Sequence, residues 1–411
     1  MAIGLKRGLK IIGGLTGVSV LYVSAVAGYL WAFESAHDPL PAGFLDHYDE
    51  YVSPDANLEI ASAANDAMTS LASDLQAVSI SGAIAMEGQL MWSGAVGLAS
   101  VENATPASIR SRYRIGSVSK SLTATALARM VELNMIDLDD SVQKYLPDYP
   151  LYESPMTVRQ LASHTAGVRH YGMDLSLFPP HDSFLDEHFD DVTDATAYFK
   201  DDGLQFPPGS DFAYSTYGYT LLSAVMEAAA GIPFLQLMNE LLFEPMEMRA
   251  TGPENGSGEM KDLVSFYHAE DGLYGSTRPI DFSIKWAGGG FVSTPTDLVT
   301  LGSALLSDSL IEPETRELFF TPQPLFDGSE NPQAYALGWR HHKTVHILGK
   351  DHPVDVVHHG GTSVGGVAFF LLVPDHNISI AFMSNGVGET TRNDLQVLAY
   401  RLAGEIIRSA S

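Results

Sequence analysis

The pattern of hydrophobic and polar positions divides the chain into an uncharged first segment and a long mixed remainder. Residues 11–33 carry no charge, and a run of that length spans a bilayer core of about 30 Å as a helix. Basic residues precede the run and acidic residues follow it, which predicts the N-terminus inside and the rest of the chain outside. A cleaved signal peptide, with the small residues at 25–27 as its cleavage site, is the alternative. Because the apolar run continues past that site, a retained anchor is favoured.

Downstream of this run, the pattern predicts early strands, a helical middle and late strands. Prolines and polar residues over 34–56 indicate a tether, and apolar residues at helical spacing indicate an amphipathic helix over 57–75. Two apolar runs flank Glu87-Gly88, which is a hairpin signal. Helical patterns dominate from about 117 to 310. The remaining elements are two strands, at 366–374 and 378–385, and a terminal helix at 393–408.

This order of elements is typical of an α+β fold. We expect an antiparallel sheet formed from both chain ends and flanked by helices, with a helical lobe beside it and the catalytic site in the cleft between them. The predicted organisation is a cytoplasmic basic start (1–10), a transmembrane anchor or signal peptide (11–33), a tether (34–56) and one catalytic domain (57–411).

Composition excludes several classes of function. The chain holds 50 acidic and 23 basic residues, a formal net charge of −27, so it would repel phosphates and we expect no nucleic-acid partner. It contains no cysteine, which excludes thiolate nucleophiles, cysteine zinc sites and disulfides. The histidines lack the spacing of a helical zinc motif, so we expect neither a metal nor an organic cofactor.

The pattern Ser-x-x-Lys occurs twice, at Ser117 and at Ser141. Acidic residues precede Ser141 and would keep Lys144 solvated and charged, whereas Ser117 follows a glycine and opens an apolar helix. At a helix N-terminus, backbone N–H groups stabilise negative charge. Lys120 lies on the same face, and burial would lower its pKa so that it accepts the serine proton. The second pattern therefore reads as a helix cap, and the first predicts a nucleophile with its base.

A competing nucleophile is Ser363, which fits the G-x-S-x-G pattern of a nucleophile elbow. The elbow requires a strand before the serine and a helix after it, and here a β-rich segment follows instead. This context argues against an α/β-hydrolase.

Several segments in the same order resemble one family. The segments at 112–127, 206–231, 285–306 and 358–366 (RYRIGSVSKSLTATAL, FPPGSDFAYSTYGYTLLSAVMEAAAG, KWAGGGFVSTPTDLVTLGSALL and HHGGTSVGG) are similar to motifs of the serine β-lactamase / D-alanyl-D-alanine carboxypeptidase superfamily, in its class C β-lactamase-like branch. Within that branch the nearest likeness is to the mitochondrial β-lactamase-like serine proteases. The resemblance extends from about Gln76 to the C-terminus and implies the β-lactamase/transpeptidase fold.

The resemblance also assigns roles. Ser117 would form the acyl-enzyme, Lys120 would take its proton, and Tyr214 would protonate the leaving group and activate the deacylating water. A positively charged Lys120 would favour the tyrosinate form of Tyr214. The oxyanion hole would consist of the backbone N–H groups of Ser117 and of Thr362, the residue after Gly361.

Two departures from the family pattern bear on the substrate. Thr216 stands where the second motif usually has asparagine, so it offers a poorer clamp for a substrate amide. His359 stands where the third motif usually has lysine, and a mostly neutral imidazole is a weak anchor for a substrate carboxylate. We therefore expect ester or peptide hydrolysis rather than efficient β-lactam hydrolysis.

The sequence thus predicts a serine hydrolase that cleaves a small ester or peptide substrate through an acyl-enzyme. The alternatives are a D,D-carboxypeptidase or β-lactamase, and, from another class, a catalytically inactive membrane-tethered scaffold. The uncharged run and the short basic start predict a single-pass protein of a bacterial inner membrane, with the catalytic domain on the extracytoplasmic side. The oligomeric state stays open.

Overall fold

The computed structural model describes residues 24, 26–29, 35–152, 154–174, 181–254, 260–388 and 391–409. The predicted basic start and all but five residues of the predicted anchor lie outside the described residues. Within the described part of the chain, no single helix combines the length and the hydropathy that crossing a bilayer requires.

The described elements alternate between short and long strands and helices. The strands are β1 (Asp38–Pro39), β2 (Tyr48–Val52), β3 (Ser79–Met86), β4 (Gln89–Ser100), β5 (Thr105–Pro106), β6 (Tyr113–Arg114), β7 (Gly252–Pro253), β8 (Tyr267–Glu270), β9 (Leu273–Ser276), β10 (Phe291–Ser293), β11 (Arg340–Thr344), β12 (Val354–Ser363), β13 (Gly366–Val373), β14 (Ile378–Ser384) and β15 (Gly386–Val387). The helices are α1 (Leu58–Leu75), α2 (Ser119–Glu132), α3 (Val142–Tyr145), α4 (Val158–Ala162), α5 (Val192–Thr196), α6 (Thr216–Ala230), α7 (Phe234–Met238), α8 (Trp286–Gly289), α9 (Pro295–Leu306), α10 (Pro313–Phe320) and α11 (Thr391–Ser409).

The main sheet confirms the prediction that both chain ends build it. Its strand order is β11-β12-β13-β14-β3-β4-β2, with β5 on β4, and β14 pairs antiparallel with β3, which joins the late strands to the early hairpin. Successive side chains of a strand point to opposite faces, so Phe369 packs under α1 and α11 while Phe370 packs toward α9 and the helical lobe. Helices cover both faces, which is why every residue of β13 is buried.

The structure differs from the predicted tether at 34–56. Residues Tyr48–Val52 form the edge strand β2, paired antiparallel with β4, and β1 pairs with β9. The indole of Trp92 donates to Glu50 Oε1 over 2.9 Å, which fastens the edge strand to its neighbour. A five-residue strand between proline-containing turns offers too little periodic signal to be distinguished from a linker.

The helical lobe surrounds α6, whose first eleven residues are all buried. The short helix α8 packs against both α2 and α6. Four short strands, β7–β10, interrupt the middle region that the sequence pattern predicted to be helical. They belong to two small sheets, ordered β6-β10-β7 and β1-β9-β8-β15. The start of α2, the start of α6, α8 and the end of β12 all meet in the cleft between lobe and sheet.

Candidate active site

Ser117 lies in a one-turn 3₁₀ helix that leads directly into α2, so α2 itself begins two residues after the serine that was predicted to open it. Gly116 has φ +49°, and a Cβ there would lie 2.7 Å from the carbonyl oxygen of Thr362. A Cβ on Gly361 would lie 1.9 Å from the carbonyl oxygen of Ile115. Only glycines allow the end of β12 to press against this turn. The backbone of Thr362 thereby lies beside that of Ser117, as the predicted oxyanion hole requires.

Lys120 is fully buried, and its amine contacts three oxygens. Nζ donates to the carbonyl of Gly288 over 2.6 Å and to Thr216 Oγ1 over 3.2 Å, and it lies 3.4 Å from Ser117 Oγ. Burial holds the pKa of Lys120 well below its usual range, and the positive charge of Arg340 acts in the same direction. A neutral amine has two N–H groups and one lone pair. The first two oxygens use the N–H groups, so the lone pair is left for the serine proton.

Tyr214 presents a buried hydroxyl that has no hydrogen-bond partner among the described residues. Burial raises the pKa of Tyr214 to about 12, against the opposing effects of the nearby Ser117 hydroxyl, Arg340 and Arg392. Lys120 Nζ lies 4.7 Å from the centre of the ring. The structure therefore differs from the expected tyrosinate: with a neutral lysine beside it, the phenol keeps its proton at pH 7 and can give it to a leaving group.

The N-terminus of α6 fixes this tyrosine and Thr216. Ser215 caps the helix by accepting from the Gly218 N–H over 2.8 Å. Two imidazoles accept further backbone N–H groups: His164 Nδ1 from Ser215 over 3.2 Å, and His170 Nδ1 from Thr216 over 3.1 Å. Both rings must be neutral to accept, and burial lowers the pKa of His164 far below its usual value and that of His170 to about 4.

His359, the histidine of the third motif, carries no charge in this site. Its Nδ1 donates to the carbonyl of Gly360 over 2.7 Å, and its Nε2 accepts from the hydroxyl of Tyr335 over 3.0 Å. Burial depresses the pKa of His359 well below its usual value, and the charges of Arg340 and Lys120 act in the same sense. His359 therefore forms part of the cleft wall rather than a cationic anchor.

Two cavities meet at Ser117 and Thr362. The larger, about 480 Å³, is lined by Ser117, Tyr214, Gln333, Arg340, His358, His359, Gly360, Thr362, Phe369, Arg392 and Gln396. The smaller, about 220 Å³, is lined by Ser117, His170, Tyr171, Ser183, Thr216, Phe282, Lys285, Gly288, Gly289, Thr362, Ser363 and Val364. A carbonyl carbon held at the serine would have one half of its molecule in each cavity.

Two arginines of the larger cavity were missed in the sequence. Arg340 begins β11, donates to Gln333 Oε1 over 2.6 Å and has its guanidinium carbon 5.6 Å from the Tyr214 ring centre. Arg392 lies in the first turn of α11 and contributes to the same wall. In the part of the chain that the structure describes, no carboxylate lies within 4 Å of either guanidinium group. Neither residue belongs to a motif, so only the fold brings their charges to Ser117.

The two rejected serines lie where the sequence placed them. Lys144, three residues after Ser141, is exposed and ion-paired with Asp140 over 2.5 Å, which raises the pKa of the lysine. Ser363 ends β12 and turns into β13 as a hairpin, with no following helix. Neither setting can activate a serine hydroxyl.

The chain was compared with known proteins and structures. The human protein "Serine beta-lactamase-like protein LACTB, mitochondrial" is 29% identical over 372 residues, covering 71% of this chain and 68% of that protein. The octameric penicillin-binding protein homologue from Pyrococcus abyssi superposes with a TM-score of 0.68 at 23% identity, covering 84% of this chain and 77% of the other. The D-amino acid amidase from Ochrobactrum anthropi gives a TM-score of 0.68 at 22% identity, covering 85% of this chain and 100% of the other.

These likenesses agree on one fold, and a family model extends over most of the chain. Residues 64–405 match the family described as Beta-lactamase. That range contains the serine, the lysine and every residue of both cavities described above. The chain therefore belongs to the beta-lactamase family of serine hydrolases.

Proposed function

We propose that this protein hydrolyses small esters or short peptides through an acyl-enzyme on Ser117. The observation that carries the proposal is the amine of Lys120, buried without a carboxylate within 4 Å among the described residues and 3.4 Å from Ser117 Oγ. A lysine in this setting is a base rather than a cation. Such an arrangement has no use in an inactive scaffold, because a buried amine is costly to maintain.

Acylation follows from the contacts of the site. Ser117 Oγ attacks the substrate carbonyl carbon while its proton passes to Lys120 Nζ, and the N–H groups of Ser117 and Thr362 stabilise the oxyanion. Tyr214 gives its phenolic proton to the leaving oxygen or nitrogen, the bond to the leaving group breaks, and the proton held by Lys120 restores the phenol. The serine then carries the acyl group as an ester.

Deacylation reverses these transfers with water. A water molecule attacks the acyl carbon while its proton passes to the neutral lysine or through the tyrosine, and the serine oxygen recovers a proton as the acid departs. Thr216 offers one hydroxyl, already engaged by Lys120, where an amide side chain would bind a substrate amide. The proposal therefore covers esters and short, weakly clamped peptides.

Active-site labelling tests this proposal. We expect a fluorophosphonate to modify the chain once, and mass spectrometry of its peptides to place the adduct on Ser117, because only that hydroxyl contacts a buried amine. Ser141, beside an exposed lysine, is the internal control and should stay unmodified. Absence of labelling would support the inactive scaffold instead, and an adduct on Ser363 would return the elbow interpretation.

A second candidate function, a D,D-carboxypeptidase or β-lactamase, is favoured by Arg340 and Arg392. These charges supply on the larger cavity what His359 does not, an attraction for a carboxylate on the leaving half of a substrate. We predict that a fluorescent penicillin acylates Ser117, and that Arg340→Gln or Arg392→Gln lowers its acylation rate constant about tenfold. The fluorophosphonate rate of each variant is the control for general damage. A wild-type protein that fluorophosphonate labels and penicillin does not would exclude this second function.

We also propose that the uncharged run at 11–33 anchors the protein in a bacterial inner membrane, with the catalytic domain on the extracytoplasmic side. The absence of charge in that run and the basic residues before it support this arrangement. A substrate would then be a small molecule or peptide of that compartment.

A further inference from the structure

The smaller cavity holds a lysine that the acyl-enzyme mechanism does not use. Lys285 ends a one-turn 3₁₀ helix just before α8, and 6% of its surface is exposed. It lines the cavity together with Ser117 and Thr362, the nucleophile and the predicted oxyanion residue. Its amine lies 5.4 Å from the ring centre of Tyr171 and 5.0 Å from that of Phe282.

The amine of Lys285 is short of partners. An ammonium group has three N–H donors, and among the described residues its one acceptor is the carbonyl of Ser183, 3.2 Å away. No carboxylate lies within 4 Å in the described part of the chain. The aspartate nearest in sequence to that carbonyl, Asp182, is engaged by Arg169 over 2.6 Å. A buried ammonium without a counter-ion is costly, so an incoming anion would supply the missing partner.

The electrostatics agree with this reading. Burial lowers the pKa of Lys285 to about 7, Arg278 and Arg114 lower it further, and Asp182 and Asp281 oppose them. The amine is therefore poised between its neutral and charged forms near neutral pH. A carboxylate in contact with it would favour the charged form.

The position of Tyr214 tells which half of a substrate enters this cavity. The tyrosine lines the larger cavity and not the smaller one. Because Tyr214 protonates the leaving group in the proposed mechanism, the leaving half occupies the larger cavity. The acyl half, which stays bound to Ser117, then occupies the smaller one beside Lys285.

We propose that Lys285 makes the smaller cavity selective for acyl groups that end in a carboxylate. The inference rests on the proposed acyl-enzyme function and adds its acyl specificity. A volume of about 220 Å³ holds roughly seven groups of the size of water, at about 30 Å³ each, which suits a short dicarboxylic acyl chain. Gly288 and Gly289 line the same wall without side chains, so the chain reaches the amine without obstruction.

The competing interpretation gives Lys285 a purely structural role. Its bond to Ser183 fastens the segment around 181–184 to the cleft, and loss of that bond would disturb all substrates alike. Selectivity between two substrates of the same length, one charged and one not, separates the two roles.

The experiment compares 4-nitrophenyl hydrogen adipate with 4-nitrophenyl heptanoate and follows the ratio of their kcat/KM values. We expect the wild-type protein to prefer the adipate, Lys285→Met to lower that ratio about thirtyfold, and Lys285→Arg to keep most of it. Lys285→Glu should in addition favour an acyl group that ends in an ammonium. Lys343→Met, an exposed lysine of β11, is the matched control and should leave the ratio as it is.

The outcomes distinguish this inference from the function on which it rests. A ratio near one in the wild-type protein, or one that Lys285→Met leaves within about twofold, overturns the acyl specificity while the hydrolase stands. If Ser117→Ala hydrolyses both esters as fast as the wild type, the acyl-enzyme itself is excluded. Unfolding midpoints of the Lys285 variants show whether each one is folded, and the charge-retaining arginine variant keeps the test valid where methionine is not tolerated.

Discussion

Replacing Ser117 by alanine lowers kcat/KM for an ester substrate by about 10⁴-fold or more, because the nucleophile and the first step of the acyl-enzyme route are lost together. The change removes a hydroxyl whose one described side-chain contact is the 3.4 Å approach of Lys120. The folded structure should therefore keep its thermal midpoint while activity disappears. Steady-state hydrolysis and a thermal unfolding curve, measured on the same preparation, check the two halves of this expectation.

Ser141→Ala is the matched control for that variant. It removes a serine with the same Ser-x-x-Lys spacing, but its lysine is exposed and held by Asp140. Its kcat/KM should stay within about twofold of the wild type, as is usual for surface changes away from a site. Retention of activity in Ser117→Ala within tenfold of the wild type would mean that another group attacks the substrate.

The central part of the fold could be predicted because its elements carry strong local signals. The hairpin at Glu87-Gly88 joins β3 and β4, and the two late strands are β13 and β14, as their apolar runs indicated. The terminal helix at 393–408 is α11, two residues longer at its start. What was missed consists of short pieces such as β2 and β7–β10. Strands of two to five residues are specified by the partner strand rather than by their own pattern.

The same distinction applies to the site. The serine and lysine could be identified because three residues along a helix bring them to one face, and Tyr214 because a family motif contains it. Arg340, Arg392 and Lys285 come from three elements far apart in the sequence. Long-range packing decides which cavity each one lines, and the departures at Thr216 and His359 showed only that the usual anchor was missing. The groups that recognise substrate were therefore beyond what spacing alone could predict.

Lys120 is the residue for which catalysis and stability oppose each other. Unfolded, its amine titrates near pH 10.4, whereas in the folded protein burial places the pKa far lower. At pH 7 the unfolded chain binds a proton that the folded chain does not, so the free energy of unfolding is reduced by this one side chain. The reduction shrinks as the pH rises toward the unfolded pKa. A site that needs a neutral lysine thus lowers the stability of the fold that holds it.

Lys120→Met should make this opposition measurable. The variant keeps the length of the side chain but has no base, so we expect kcat/KM to fall about 10³-fold, within the range that a positioned general base contributes. The wild-type rate should rise with pH as the amine of Lys120 loses its proton, and the methionine variant should lack that rise. Lys343→Met, at an exposed position of β11, controls for the loss of a positive charge from the chain.

The stability of the same variant carries the sign of the pKa shift. Because methionine binds no proton in either state, Lys120→Met should unfold at a higher temperature than the wild type, and the difference should be larger at pH 7 than at pH 10. Thermal unfolding at the two pH values measures it. A difference that grows with pH would show that Lys120 is charged in the folded protein. A charged Lys120 has no lone pair for the proton of Ser117, so that result would remove the base from the mechanism.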